Sequence, residues 1–333
     1  MVRSLSSEIP HVRTLWERAL STRSGNPPSD PAQWSADNLV INELGLGLHD
    51  TLRFLYERAP DLPAFEAWIL ERNSGGIEPE RIVRLNGSID RVLGKDFVTP
   101  VRSEFAEDAL APDDIAFWEE HGYVVVPKAV SAEAAHAAEL AIWEFAGMSP
   151  DDPESWYGGE FEQGIMVPLL HHPALAANRN SPRIRRAFEQ LWGTNDLVIT
   201  VDRCGFNPPE RVGWQFHATG LHWDTSLVAP VPFGTQGILY LTDTPVHQGA
   251  FRCVAGFHKK LESWLASLPK AADPRREDLD ALGPVCVAGN TGDLIIWRNA
   301  LPHGASPNRG TRPRIAQYIN MYPPDNVDTR PWL

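Results

Sequence analysis

The feature that most constrains this chain is a pair of short segments that lie 81 residues apart, one carrying His222 and Asp224 and the other carrying His303. The first segment is predicted to be a strand. Side chains at positions i and i+2 of a strand point to the same face, so His222 and Asp224 can bind one ion together. His303, on a separate strand, would add a second imidazole. Two imidazoles and one carboxylate leave coordination positions open and suit a non-haem Fe(II) ion that activates oxygen.

A basic residue follows at a fixed interval. Arg314 lies eleven residues after His303, where its guanidinium could bind the carboxylate of a 2-oxo acid through two parallel hydrogen bonds. Arg309 and Arg312 are nearby alternatives. The alternation that puts Arg314 and Tyr318 on one strand face favours Arg314.

Three blocks of sequence carry a resemblance to a known family. They are, in chain order, His121-Gly122-Tyr123-Val124-Val125-Val126-Pro127; then His222-Trp223-Asp224 followed by a glycine-containing stretch from Gln248 to Lys259; then Gly292-Asp293-Leu294-Ile295-Ile296-Trp297 followed by His303-Gly304 and Arg314. The region from about Asp113 to Pro324 resembles the phytanoyl-CoA dioxygenase family of Fe(II)/2-oxoglutarate-dependent oxygenases. These three blocks in this order are specific for the family, but they say almost nothing about the substrate.

Short predicted strands between glycine and proline turns indicate an antiparallel double-sheet barrel. The resemblance sharpens this to a mainly β fold with flanking helices, built on a double-stranded β-helix (a jelly-roll, cupin-like core). The domains expected are an N-terminal helical region, 1–105, and an oxygenase domain, 106–333. The helical region is expected to pack against the catalytic domain; a lid, an oligomer arm or a docking element for a partner protein are alternatives.

The resemblance also implies cofactors and their ligands. Fe(II) would be held by His222, Asp224 and His303, with 2-oxoglutarate as co-substrate and O2 as oxidant. Arg314 would pair with the far carboxylate of 2-oxoglutarate, and Ser306 is a second candidate for binding it.

The expected reaction is hydroxylation or desaturation of a small-molecule metabolite, with release of succinate and carbon dioxide. Relatives that halogenate carry a small residue where this chain has Asp224, so the carboxylate argues against halogenation. The alternative from another class is a metal-binding barrel that is not an oxygenase, such as an isomerase, a hydrolase or a metabolite sensor.

Four further residues are candidates for the substrate pocket. Arg203 and Asn207 could reach a substrate from the mouth of the barrel. His217 could bind substrate or handle a proton, and a structural histidine is an equal alternative. Trp297 could wall the iron pocket, although a core tryptophan would give the same pattern.

The apolar patterns predict individual elements. Helices are expected at Asn38–Glu57, Ala64–Asn73, from near Arg81, at Ile115–Glu120, at Ala132–Phe145 and from after Pro182 to Trp192. Strands are expected at Leu197–Asp202, Gln215–Asp224, Gly237–Asp243, Ala250–Ala255, Asp293–Trp297 and Ile315–Met321.

Composition bounds the partners and the location. The formal net charge is −13, from 30 basic and 43 acidic residues, which argues against nucleic acid as a partner. No apolar run approaches the length of about 18 residues that a membrane span needs. Three cysteines in no metal-binding spacing and the lack of an apolar signal core favour a cytoplasmic location. The composition leaves a homo-oligomer open.

Overall fold

The structure is a computed structural model that describes residues 4–25, 30–95, 107–159, 161, 164–216, 220–326, 328 and 330–333. Of these residues, 42% are helical and 15% lie in strands. The fold is therefore a mixed one of helices and antiparallel sheets, and the expectation of a mainly β fold is wrong. The strands are short, and helices occupy much of the described chain before residue 193. No helix in the described ranges is long and apolar enough to cross a membrane.

The chain divides into two compact units. The first comprises Met1–Glu104, Trp192–Asp202 and Met321–Thr329, and the second comprises Phe105–Leu191, Arg203–Asn320 and Arg330–Leu333. Two segments of the predicted oxygenase domain, 192–202 and 321–329, thus belong with the helical unit.

The first unit is a group of helices around one apolar core, with a two-stranded sheet. Its helices are α1 (Leu5–Glu8), α2 (His11–Arg23), α3 (Pro31–Glu43), α4 (Leu48–Arg53), a π-helical turn (Phe54–Arg58), α5 (Leu62–Arg72) and α6 (Pro79–Val92). Strands β3 (Val198–Ile199) and β11 (Met321–Tyr322) pair antiparallel. Val198 is buried with the apolar faces of these helices, which joins this sheet to their core.

The predicted helix Asn38–Glu57 is broken in the structure. Helix α3 ends at Glu43, and α4 begins at Leu48. Between them Gly45 and Gly47 adopt positive φ angles of 65° and 76°, which side-chain-bearing residues rarely adopt. The two glycines therefore convert one amphipathic pattern into two helices.

The second unit carries the larger sheets. Its helices are α7 (Pro112–His121), α8 (Ala132–Ala146), α9 (Pro173–Arg179), α10 (Pro182–Trp192), which runs one residue into the first unit, and α11 (Leu261–Ser267). Its strands are β1 (Tyr123–Val126), β2 (Met166–Val167), β4 (Cys204–Asn207), β5 (Thr235–Tyr240), β6 (Phe251–Cys253), β7 (Val285–Val287), β8 (Leu294–Arg298), β9 (His303–Ala305) and β10 (Arg314–Tyr318). Ser131 is the N-cap of α8, since its side chain accepts a hydrogen bond from the backbone N–H of Ala134 at 3.2 Å.

Two antiparallel sheets share one core in this unit. The six-stranded sheet has the order β1-β8-β5-β10-β4-β2, and the three-stranded sheet has the order β7-β6-β9. Phe251 on β6 packs against Trp297 on β8 with ring centroids 4.4 Å apart, so the inner faces of the two sheets meet there. The buried residues of both sheets form one hydrophobic cluster.

The register of the six-stranded sheet defines which side chains face inwards. Directly opposed residues of an antiparallel pair point to the same face. Gln236 opposes the inward-facing Trp297, Tyr240 opposes Ala316, and Arg314 opposes Asn207. These polar side chains therefore project from the sheet towards the interior of the unit.

Several strand predictions need correction. The segment Gln215–Asp224 is not a strand in its described part, where only His222 forms an isolated bridge. The predicted strand Ile315–Met321 divides into β10 and β11, and only Val198 and Ile199 of Leu197–Asp202 are in a strand. Strands β2, β4 and β7 were not predicted.

Gly237 in the middle of β5 leaves no space for a side chain. A Cβ there would overlap the carbonyl oxygen of Ile319 and lie 3.2 Å from the ring of Phe188. We expect Gly237→Ala to destabilise the protein by about 1–3 kcal/mol, because a packed interior resists an added methyl group. Urea unfolding followed by circular dichroism measures this change.

Gly158→Ala is the matched control in the same unit, since its Cβ would meet nothing closer than the Ser155 carbonyl oxygen at 3.7 Å. Equal unfolding midpoints for the two variants would contradict the close packing assigned to Gly237.

Candidate metal and co-substrate site

A backbone bridge brings the two predicted histidine segments together. The N–H of His222 donates to the carbonyl of His303 at 3.0 Å, and the N–H of His303 donates to the carbonyl of His222 at 3.0 Å. This pair extends the three-stranded sheet at its β9 edge and places the two imidazole centroids 4.8 Å apart. Asp224 follows in a bend. The predicted strand geometry is therefore wrong, but the predicted proximity of the three residues is confirmed.

The three side chains form a group that could hold a metal ion. One ligand atom from each of His222, Asp224 and His303 lies within 4.8 Å of the others. The Nε2 atom of His222 lies 3.6 Å from Asp224 Oδ1, and the Nε2 atom of His303 lies 3.3 Å from Asp224 Oδ2. Three donors at these separations converge on one point, as ligands of a single ion must.

Both imidazoles are oriented by backbone carbonyls. Nδ1 of His222 lies 2.9 Å from the carbonyl oxygen of Gly220, and Nδ1 of His303 lies 3.0 Å from that of Leu301. A carbonyl only accepts, so each Nδ1 carries the hydrogen and each Nε2 presents its lone pair towards Asp224. A hydrogen bond from the ring nitrogen that does not face the metal to a backbone carbonyl is typical of metal-binding histidines.

The electrostatics fit neutral imidazole beside an ionised carboxylate. Burial and the neighbouring His303 lower the pKa of His222, so its imidazole is neutral at pH 7. Burial acts to raise the pKa of Asp224, but the contacts with His303 and His222 and the hydrogen bond from Gln236 outweigh burial and lower the pKa overall. Metal ligands need these protonation states.

Arg275 ties down the backbone around Asp224. Its guanidinium donates to the carbonyl of Trp223 at 2.7 Å, to the carbonyl of Thr225 at 2.6 Å and to that of Leu333 at 2.7 Å. The residues directly before and after the carboxylate are thus joined to one cation. Because Asp224 is not in a strand, this contact replaces a β-ladder in fixing its backbone.

Arg314 presents a buried cation to the interior. Its side chain is fully buried, and Nε donates to the carbonyl of Gly249 at 3.0 Å. Its Nη1 and Nη2 atoms have no hydrogen-bond partner within the described ranges. A Cβ at Gly205 would lie 2.7 Å from Nη1, so the glycine opens the space that the guanidinium fills.

Other polar atoms near Arg314 are also unpaired. Ser306 Oγ and Asn207 Oδ1 are buried without a partner among the residues described. They belong to one cluster, because Asn207 Nδ2 donates to the carbonyl of Ser306 at 3.0 Å and Asn207 opposes Arg314 in the sheet. The Ser306 hydroxyl can donate to an anion beside the Arg314 cation, whereas Asn207 Oδ1 can only accept, so Arg314 and Ser306 mark the place of an anionic ligand.

Tyr240 does not neutralise Arg314. Burial raises the pKa of its phenol, which therefore stays uncharged, and its hydroxyl donates to the carbonyl of Val287 at 2.8 Å. The same oxygen accepts from the backbone N–H of Phe251 at 2.9 Å.

The remaining predicted pocket residues are placed as follows. Trp297 is buried, with its ring centroid 5.0 Å from that of His303, so it lies beside the candidate site. Arg203 and Asn207 are both buried, and Asn207 supports the segment that carries Ser306. His217 lies outside the described residues. A substrate contact stays a prediction for all four.

Two site residues were missed by the sequence reading, Gln236 and Arg275. Gln236 donates from Nε2 to Asp224 Oδ2 at 2.7 Å. The sequence pattern that could have identified Gln236 is the alternation along β5, where Gln236, Ile238 and Tyr240 share the inner face. Arg275 lies in a short 3₁₀ turn, Pro274–Arg276, and gave no periodic signal.

Comparisons with known proteins agree with this arrangement. A family model described as "Phytanoyl-CoA dioxygenase (PhyH)" matches residues 118–316, more than half of the chain. A protein of Dictyostelium discoideum, provisionally named as a phytanoyl-CoA dioxygenase, is 20% identical over 264 residues, which cover 64% of this chain and 76% of the relative.

Solved structures with similar folds include GIG2, the product of GlcNAc Inducible Gene 2 of Candida albicans. It has a TM-score of 0.51 and 12% identity, covering 66% of this chain and 64% of GIG2. HygX of Streptomyces hygroscopicus, solved with nickel and 2-oxoglutarate bound, has a TM-score of 0.47 and 16% identity, covering 65% of this chain and 88% of HygX. The structural likeness concerns the fold, whereas the family model covers both histidine segments and Arg314. On that match, this chain belongs to the phytanoyl-CoA dioxygenase family.

Proposed function

We propose that this chain is an Fe(II)/2-oxoglutarate-dependent oxygenase that hydroxylates or desaturates a small-molecule metabolite and releases succinate and carbon dioxide. His222, Asp224 and His303 hold the iron. Arg314 and Ser306 bind the far carboxylate of 2-oxoglutarate. The two facing antiparallel sheets form a double-stranded β-helix around this site. Family membership and the fit of the residues to both ligands support the proposal.

The single observation that carries the proposal is the unpaired guanidinium of Arg314. A buried charge without a partner is costly, by several kcal/mol even after relaxation of the surroundings. A chain that keeps such a cation inside a packed sheet gains stability only when an anion completes it. The free Nη1 and Nη2 atoms match the two oxygens of a carboxylate, and Ser306 Oγ adds a third donor.

The donor set fits iron equally well. Two neutral imidazoles and one ionised carboxylate suit Fe(II) and leave positions for a bidentate co-substrate and oxygen. Iron and 2-oxoglutarate supply the oxidation of a C–H bond, and the protein supplies binding, orientation and protection from water. His303 is 4% exposed and packs near the rings of Phe251 and Trp297, which keep water from this side of the site.

The proposed outcome of the reaction follows from Asp224. Its carboxylate occupies the position that a halide would need, which favours hydroxylation or desaturation. The packing role expected for the N-terminal helical region, 1–105, stays a prediction. The cytoplasmic location and a homo-oligomer stay predictions.

Arg314→Met should weaken 2-oxoglutarate binding by about thirty- to a thousand-fold, which corresponds to about 2–4 kcal/mol for a lost bidentate, charge-assisted contact. The affinity of Arg314→Lys for 2-oxoglutarate should fall between those of Arg314→Met and the wild type, because lysine keeps the positive charge but lacks the two parallel donors of a guanidinium. The measurement is calorimetric titration of 2-oxoglutarate into anaerobic protein loaded with Ni(II), which binds without turnover.

Arg309→Met is the matched control, since Arg309 is 76% exposed and lies only 3.9 Å from one carboxylate, that of Glu210. Wild-type affinity for 2-oxoglutarate in Arg314→Met, or its loss in Arg309→Met instead, would show that the anchor is assigned to the wrong arginine.

Arg275→Met should weaken Ni(II) binding about ten- to a hundred-fold, because removal of an outer partner lets the backbone around Asp224 move. Arg276→Met should leave the affinity unchanged, since Arg276 is 86% exposed and pairs only with Asp273 among the described residues. Calorimetric titration of Ni(II) into the metal-free proteins measures both. Equal affinities for the two variants would refute the role given to Arg275.

A further inference from the structure

The carboxylate of Asp224 depends on a side chain of the neighbouring sheet for its orientation. Asp224 is 53% exposed at its side chain and lies in a bend, so regular secondary structure does not fix it. Gln236 on β5 donates to Asp224 Oδ2 from Nε2 at 2.7 Å. Because both histidine Nε2 atoms present lone pairs to Asp224, Gln236 is the one side chain in the described ranges that donates a hydrogen bond to this carboxylate.

The orientation of the Gln236 amide is fixed by chemistry. Trp297, opposite Gln236 on β8, donates from its indole Nε1 to Gln236 Oε1 at 3.1 Å. An indole N–H is a donor only, so it requires the oxygen end of the amide. A reversed amide would place two donors face to face and two acceptors against each other. The chain of contacts from Trp297 through Gln236 to Asp224 therefore has one polarity.

The indole of Trp297, from which this series of contacts starts, is itself packed closely. Trp297 is 2% exposed, and its ring centroid lies 4.4 Å from that of Phe251 and 5.0 Å from that of His303. A side chain packed against two rings can hold the amide in one place, and the amide can then hold the carboxylate.

We propose that Gln236 is a positioning residue for the metal-binding carboxylate of Asp224, and that Trp297 acts through Gln236 by setting the direction of its amide. This rests on the proposed metal site. The amide occupies a lone pair of Oδ2, and this leaves Oδ1, which lies 3.6 Å from His222 Nε2, for the metal. The arrangement fixes the rotation of the carboxylate before any ion binds.

The test is Co(II) binding to the metal-free full-length protein, followed by calorimetry and by the visible d–d spectrum, which reports coordination geometry. Gln236→Met should weaken Co(II) binding about ten- to a hundred-fold and change the spectrum, because the loss of an outer partner of a ligand typically has an effect of this size. Trp297→Phe keeps an aromatic ring, although a smaller one, and removes the indole N–H, and it should weaken Co(II) binding by a smaller factor.

The double variant distinguishes a relay from two separate effects. Because Trp297 acts through Gln236, the double variant should bind Co(II) as Gln236→Met does. Contacts in one network are non-additive, whereas independent contacts add. Losses that multiply in the double variant would show that Trp297 acts on His303 by packing alone and would overturn the relay.

Gln317→Met is the matched control. Gln317 lies on the adjacent strand β10 and is fully buried, whereas Gln236 is half-buried; Gln317 opposes Leu239 on the outer face and donates to the carbonyl of Leu175 at 2.9 Å. It should lower stability and leave Co(II) affinity and spectrum unchanged.

Wild-type affinity and spectrum in Gln236→Met, with metal bound normally by wild type and control, would overturn this inference alone. Absence of Co(II) binding in the wild type would overturn the proposed metal site and this inference with it.

Discussion

The antiparallel bridge between His222 and His303 is the contact on which the site depends. Two backbone hydrogen bonds of 3.0 Å join residues that are 81 positions apart in the chain. They bring both imidazoles to one edge of the smaller sheet, and Asp224 follows two residues later. Closing so long a loop is entropically costly, and the hydrophobic core that forms between the two sheets offsets this cost. The metal site is therefore a consequence of sheet packing.

The larger sheet supplies the buried cation of the proposed site, Arg314. Its inner face carries Arg314 and Gln236 among apolar neighbours, and each has a different partner in the site. Gln236 is satisfied by Asp224 and Trp297, whereas the outer nitrogens of Arg314 are unpaired. The larger sheet thus provides Gln236, whose hydrogen bonds are satisfied, to the carboxylate of Asp224, and Arg314, whose outer nitrogens are free to bind an anion. In the proposed site, Gln236 therefore serves the metal-binding carboxylate and Arg314 serves the co-substrate.

The sequence predicted the site better than the elements that carry it. Spacing and residue chemistry placed His222, Asp224 and His303 together, and the apolar run of β8 was predicted to within one residue. The strand proposed around His222 is only a bridge, because a single residue pairs there. Strand β4 (Cys204–Asn207) was missed, since glycine and asparagine have low strand propensity and only burial between β10 and β2 makes it a strand. Contacts such as that of Arg275 depend on tertiary proximity, which no local pattern encodes.

The central claim is tested most directly by visible absorption of the anaerobic protein during addition of Fe(II) and then 2-oxoglutarate. Chelation of iron by the 2-oxo acid produces a charge-transfer absorption that neither component gives alone. We expect this absorption in the wild type only when both are present, and its absence in His303→Ala. Wild-type protein that shows no such absorption with both present, or His303→Ala protein that retains it, would contradict the account.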